Sequence, residues 1–267
     1  MLPLVRKVRE GSVFWDPAHP ELGSVDFEGF DAVVHLAGEN IASRWTQDKK
    51  ERLVRSRSGD TAALAQILLH LTYPPKIVIT ASAVGFYGDR GDEVLTEKSS
   101  KGKGFLADLC AEWEAAADVL RPLARVVHTR FGPVLDPSGG VLRKMIPAFR
   151  WGLGGKLGSG RQFFSWVALE DVIGAIDHVL AAPGLSGPVN VVAPHAVRQA
   201  EFAQALARRL HRPAFVALPA PLLRLVLGEM ADEMLLASAR VVPERLLETG
   251  YQFKHPWVQD YLRQNLL

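Results

Sequence analysis

The apolar positions of this chain follow two rhythms that alternate along roughly its first 195 residues. Four short continuous runs, at residues 30–38 (FDAVVHLAG), 77–80 (IVIT), 124–131 and 187–192, have the β-branched composition of strands buried on both faces. Between them lie stretches of helical period. The first is 47–71, charged early and then carrying Leu53, Ala62, Leu64, Ala65, Leu68 and Leu69; Pro74 and Pro75 close it. The second, 105–120, carries Leu106, Leu109, Cys110, Trp113 and Ala117. The third is 170–181. Residues 1–6 read as the end of a strand and 13–15 as a short strand. Residues 141–149 read as a helix leading into a glycine-rich loop, 152–160, with an extended stretch at 162–167. This alternation predicts an α/β fold, a parallel sheet with helices on both faces. Past residue 195 the texture changes. A helix at 199–210 is followed by short Leu- and Arg-rich helical pieces broken by prolines, so residues 196–267 read as a mainly helical cap.

Composition narrows the picture without sharpening it. The chain has 267 residues, 48% hydrophobic and 22% charged, enough for a sizeable core. A formal net charge of +2 asks for neither a nucleic-acid nor a membrane partner. Cys110 is the single cysteine, which excludes an internal disulfide and suits a reducing, cytoplasmic setting. No apolar run reaches the length of a membrane span, and the opening MLPLVRKVREG turns charged too early for a secretion signal. No His/Cys/Asp/Glu cluster has metal-ligand spacing, and His35 and His128 sit inside strand-like runs as core residues.

Candidate chemistry gathers at residues 76–88, KIVITASAVGFYG. In an open α/β sheet, ligands bind just past the carboxyl ends of the strands. Ser82 and Tyr87 are delivered there by the run at 77–80, either as groups for chemistry or as incidental hydroxyls of a turn. A G-x-x-G-x-x-G occurs at Gly152, Gly155 and Gly158. It follows a helical segment and precedes an extended one, the wrong context for a dinucleotide phosphate loop.

Several motifs fall in one order along the chain: HLAGENI (35–41), TASAVGFYG (80–88), FLADLCAEWE (105–114), RFGPVL (130–135), GSGRQFFSWV (158–167), NVVAP (190–194) and VVPERLLETGYQF (241–253). As a set they resemble the extended short-chain dehydrogenase/reductase superfamily, in its atypical epimerase-family oxidoreductase branch. The resemblance implies a Rossmann-like doubly wound parallel sheet in residues 1–195 that binds NAD(P), with residues 196–267 as a substrate-side helical cap. It also implies that the fold is N-terminally truncated. The first βα unit with its glycine motif, roughly 30 residues, is missing ahead of the strand that ends at Val5 and Arg6, both of which would contact the cofactor. Arg6 in place of an acidic residue favours NADP. Leu36, Ala37 and Gly38 would approach the adenosine, Arg52 and Arg57 would face the cofactor, and Val134 would lie against the nicotinamide. Arg161, Gln162 and Trp166 would line the substrate side, and Ser82 would stand at the superfamily's catalytic serine position. The chain departs from the superfamily at Tyr-x-x-x-Lys, where it has Leu106 and Cys110; Tyr87 is the remaining phenol within reach. The implied function is an NADP-dependent oxidoreductase moving hydride between the cofactor and a small-molecule carbonyl or alcohol. The alternatives are an NADP-binding or interaction protein that has lost this chemistry and, third, a nucleotide-sugar epimerase.

Overall fold

The computed structural model describes residues 2–5, 12–17 and 27–266. Arg6 lies outside them. Two short strands open the chain, β1 (Leu4–Val5) and β2 (Val13–Phe14), paired parallel to each other. β3 (Ala32–His35) leads into α1 (Gln47–Val54), a π-helical turn (Arg55–Gly59) and α2 (Asp60–Leu69). β4 (Ile77–Ala83) is followed by the short β5 (Val94–Leu95), by α3 (Phe105–Asp118) and by β6 (Arg125–Phe131). Then come β7 (Val134–Asp136), α4 (Gly140–Arg150), β8 (Phe163–Phe164), β9 (Val167–Ala168), α5 (Leu169–Ala181) and β10 (Gly187–Val191). The C-terminal part holds β11 (Val197–Arg198), α6 (Gln199–Arg209), α7 (Ala220–Leu227), a second π turn (Ala231–Leu236), β12 (Arg240–Val241), α8 (Glu244–Glu248) and α9 (Val258–Asn265).

The main sheet runs β10-β6-β4-β3, all parallel. Successive strand residues point to opposite faces, so a doubly covered strand must be apolar throughout. Val78 and Val126 pack under α2 and α3 with Leu64, Leu68 and Ala117. Their neighbours Ile79 and Val127 pack under α5 with Val172, Ile176 and Val179. The fold is the α/β, Rossmann-like doubly wound sheet expected, with a largely helical C-terminal portion. A third cluster draws Leu135, Leu142 and Trp166 together with Phe202, Leu206, Tyr261 and Leu262, so the C-terminal helices share a core with the strands before them. Among the described residues no helix is long and apolar enough to cross a membrane.

One expectation needs correction, and a second is refined. The helix expected across 47–71 is interrupted by the π turn at RSRSG. Ser56 hydrogen-bonds back to the Leu53 carbonyl, a side-chain bond that competes with the helical ladder, and Arg57 is drawn aside to the Glu39 carbonyl. The extended stretch at 162–167 is divided between two ladders, β8 against β11 and β9 against β7. β5 and β12, only two residues each, were too short to leave a period-two pattern.

Candidate functional site

Past the carboxyl end of β3 the chain runs through Leu36, Ala37 and Gly38 alongside the π turn. Ala37, Gly38 and Glu39 line a cleft of about 1060 Å³ together with Arg52, Arg55, Ser56 and Asp60. Leu36 is 49% exposed beside it. Arg57, which the π turn carries toward this strand end, donates through Nη2 to the Glu39 carbonyl at 3.0 Å. Its guanidinium lies over the Trp113 ring at 5.2 Å. A Cβ built on Gly38 would sit 3.5 Å from the Arg57 Cζ, so the two are in ordinary contact range. Burial, the largest influence on it, moves Arg57 below the usual arginine range. Glu39 is held below the usual carboxylate range by its hydrogen bond from Lys49 at 2.6 Å, with Arg52 at 3.7 Å. The strand end thus brings together five of the expected cofactor residues: Leu36, Ala37, Gly38, Arg52 and Arg57. Val5, in β1, and Val134, paired with Val167 in β7, do not line this cleft.

The structure puts Ser82 and Tyr87 elsewhere, inside one buried polar network. Ser82 Oγ donates to Glu114 Oε1 at 2.6 Å. Arg130 grips the same carboxylate with two bonds of 2.8 Å, Nε to Oε1 and Nη2 to Oε2. Its Nη1 donates at 3.0 Å to the Tyr87 hydroxyl, which donates at 2.7 Å to Asn190 Oδ1. The Arg130 Cζ also stacks 3.4 Å from the centre of the Phe86 ring. Burial opposes the charge on Arg130, but Glu114 outweighs it and holds the guanidinium above its ordinary value. Burial likewise raises Tyr87 against the pull of Arg130. Ser82 is 2% exposed and Tyr87 is 0% exposed. Each hydroxyl donates to a protein partner in this geometry. The structure thus ties both expected catalytic hydroxyls into one network with Glu114, Arg130 and Asn190.

Leu106 and Cys110, at the Tyr-x-x-x-Lys positions, are packing residues on α3. Leu106 packs so close to Gly85 that a Cβ there would meet it at 3.2 Å. The Cys110 thiol is buried and pushed up to about 12 by desolvation, far from a reactive thiolate. The expectation that Gln162 and Trp166 face a substrate does not match their positions. Gln162 Nε2 is tied to the Leu157 and Leu235 carbonyls at 3.1 and 2.8 Å. Trp166 is fully buried against Tyr261. Arg161 is exposed, its carbonyl held by Arg198. His128 is a satisfied core residue, bridging Thr80 and Asp118, whereas His35 is buried with no partner for Nε2 among the described residues.

Glu114, Arg130 and Asn190 were not read from the sequence, although a signal existed. Cys110, Trp113, Glu114 and Ala117 form a single helical stripe, so Glu114 occupies a core register. Arg130 sits in a seven-residue buried strand. A charge in an apolar register asks for a buried partner.

Comparison with known proteins completes the description. Residues 23–193 match the NAD dependent epimerase/dehydratase family, and residues 218–264 match DUF1731, a domain of unknown function. The chain belongs to the NAD dependent epimerase/dehydratase family. It is 42% identical over 269 residues to epimerase family protein Mb2239 of Mycobacterium bovis, covering 98% of this chain and 88% of that protein. It is 38% identical to human epimerase family protein SDR39U1 over 97% of this chain and 88% of the relative. A crystal structure of human SDR39U1 (isoform 2) with NADPH superimposes with a TM-score of 0.91 at 36% identity, covering 98% of this chain and 89% of the other. The resemblance drawn from the motifs is therefore correct, including the atypical branch.

Proposed function

We propose that this member of the epimerase/dehydratase family binds NADP(H) in the cleft at the end of β3, and that binding rather than Tyr-x-x-x-Lys proton chemistry is its function. The observation that carries the reading is the junction of Gly38 with Arg57 beside Arg52 and Arg55. It combines a small-residue strand end, Ala37 and Gly38, with the guanidinium groups of Arg52 and Arg55 on the cleft lining and that of Arg57 beside them on the Glu39 carbonyl. Support comes from human SDR39U1, a relative crystallised with NADPH. Leu36, Ala37 and Gly38 would face the nucleoside, and Arg52, Arg55 and Arg57 the phosphates. When bound, the cofactor supplies a nicotinamide hydride. The chain's own residues orient it and balance its charge. The single buried thiol suits a reducing compartment, and we place the protein in the cytoplasm.

A second reading, hydride transfer to a small-molecule carbonyl, rests on the position of Ser82 near the carboxyl end of β4. It requires the Ser82 hydroxyl to leave Glu114. Fluorescence titration with NADPH and NADH tests the first reading. NADPH should bind at least tenfold more tightly than NADH, and Arg57→Ala should weaken it about tenfold. Failure of both nucleotides to bind would overturn it. Loss of NADPH absorbance with any member of a carbonyl panel, abolished in Ser82→Ala, would move the conclusion to the second reading.

A further inference from the structure

The net charge of +2 conceals a segregation of charge along the chain. Between Asp136 and Glu170 there is no acidic residue, and between Glu201 and Glu229 there is none. The first interval carries Arg143, Lys144, Arg150, Lys156 and Arg161; the second carries Arg208, Arg209, Arg212 and Arg224. The fold lays parts of these two intervals side by side. Leu157 bridges Leu218 in parallel, Gly158 N donates to the Leu218 carbonyl at 2.8 Å, and Leu218 N donates to the Lys156 carbonyl at 3.0 Å. Gly155 permits the approach, since a Cβ there would lie 1.6 Å from the Val216 carbonyl oxygen, and a Cβ built on Gly152 would lie 4.0 Å from the Pro213 ring.

Large apolar side chains stand out from this seam into solvent. Trp151 is 82% exposed, Leu153 63% and Phe215 91%. Such exposure at two aromatic residues and a leucine is costly unless something covers them. Arg150, Lys156 and Arg212 flank them in sequence and are exposed. Exposed apolar side chains with exposed cations next to them along both strands of the seam have the composition of a surface that an anionic bilayer would cover. A second copy of the chain meeting this face with the same face would oppose cations to cations with no carboxylate from either interval between them. A nucleic acid would use the cations and the rings but would leave Leu153 uncovered.

We infer that the seam formed by residues 150–156 and 212–218 docks on the surface of an anionic lipid bilayer, with Trp151, Leu153 and Phe215 entering the acyl boundary. The anionic headgroups answer Arg150, Lys156 and Arg212. This surface lies outside the cofactor cleft, and the inference does not depend on NADP(H) binding.

Vesicle sedimentation tests it. The full chain is mixed with vesicles of phosphatidylglycerol and phosphatidylcholine, and with phosphatidylcholine alone. The expected result is sedimentation with the anionic vesicles only, a blue shift of tryptophan emission that Trp151→Ser abolishes, and release in high salt. Arg150→Glu with Lys156→Glu should lower the partition coefficient more than twentyfold, at about fivefold or more per charge removed. Trp151→Ser with Phe215→Ser should lower it more than tenfold; both residues are on the surface, and an unchanged melting temperature verifies the fold. Equal binding to neutral vesicles, or variants that sediment like the parent, would overturn the inference. So would salt-dependent self-association, or binding of a fluorescent single-stranded RNA, that is lost in the same variants while vesicles are ignored.

Discussion

Replacing Glu114 by Gln would cost this protein far more stability than removing the serine that hydrogen-bonds to it. The carboxylate is 10% exposed and its partner Arg130 4% exposed, so water screens the pair little. Glu114 accepts three bonds, two from Arg130 and one from Ser82. Glutamine keeps the shape and one acceptor, but it sets an NH2 group against an Arg130 donor and leaves the guanidinium without a counter-charge. Removing one partner of a buried ion pair costs about 3–5 kcal/mol. Ser82→Ala deletes one bond to a charged acceptor and leaves the pair whole, which costs about 1.5–3 kcal/mol, with the lower end expected because Glu114 keeps both Arg130 bonds. At about 2–4 °C per kcal/mol for a chain of this order of size, Glu114→Gln should melt about 6–20 °C below the parent. The double variant Glu114→Leu with Arg130→Met should melt higher than either single, because it leaves no buried charge. Circular dichroism melts of the parent, Glu114→Gln, Ser82→Ala, Glu114→Leu, Arg130→Met and the double variant measure this. A Glu114→Gln melt within about 3 °C of the parent, or a double variant that equals the sum of the singles, would refute the reasoning that the network is a buried structural pair.

Three further outcomes are expected. Burial lowers His35 from 6.5 to about 4, so below pH 6.5 the unfolded chain binds a proton that the folded chain refuses. Stability then falls from about pH 6.5 to about pH 4 by about 3 kcal/mol and levels off below; urea midpoints across that range should slope less in His35→Gln, and parallel slopes would refute the assignment. Cys110 should resist an aromatic disulfide reagent in the native protein and react on unfolding; prompt native reaction would show that the thiol is not enclosed. Gly155→Ala drives a Cβ into the Val216 carbonyl and should cost about 1–3 kcal/mol in a urea titration, where Gly184→Ala, with open space around it, should cost less than about 1 kcal/mol.

The strands and helices that carry the sheet were legible because their apolar rhythms are dictated by burial. IVITASA and RVVHTRF are apolar runs that suit strands covered on two faces. The cofactor cleft was legible in part. Small residues after a strand and arginines on the following helix are local features, and the π turn that aims Arg57 arises within RSRSG itself. Ser82 and Tyr87 were legible as polar groups at a strand end, but their roles were not. Whether a hydroxyl faces a ligand or a partner depends on Glu114, Arg130 and Asn190, which arrive from a helix and two other strands. Gln162 and Trp166 misled for the same reason, since the carbonyl of Leu235 and the ring of Tyr261 that enclose them come from distant parts of the chain.

By itself the sequence determined the α/β order, the family, the loss of Tyr-x-x-x-Lys and the two acid-free intervals. Each depends on residue types at short separation, where chain geometry leaves little freedom. The tertiary structure decided which polar groups are spent on one another, which side chains are enclosed, and that the two acid-free intervals meet at Leu157 and Leu218. Those outcomes depend on long-range contacts, whose partners are set by the packing of the whole chain.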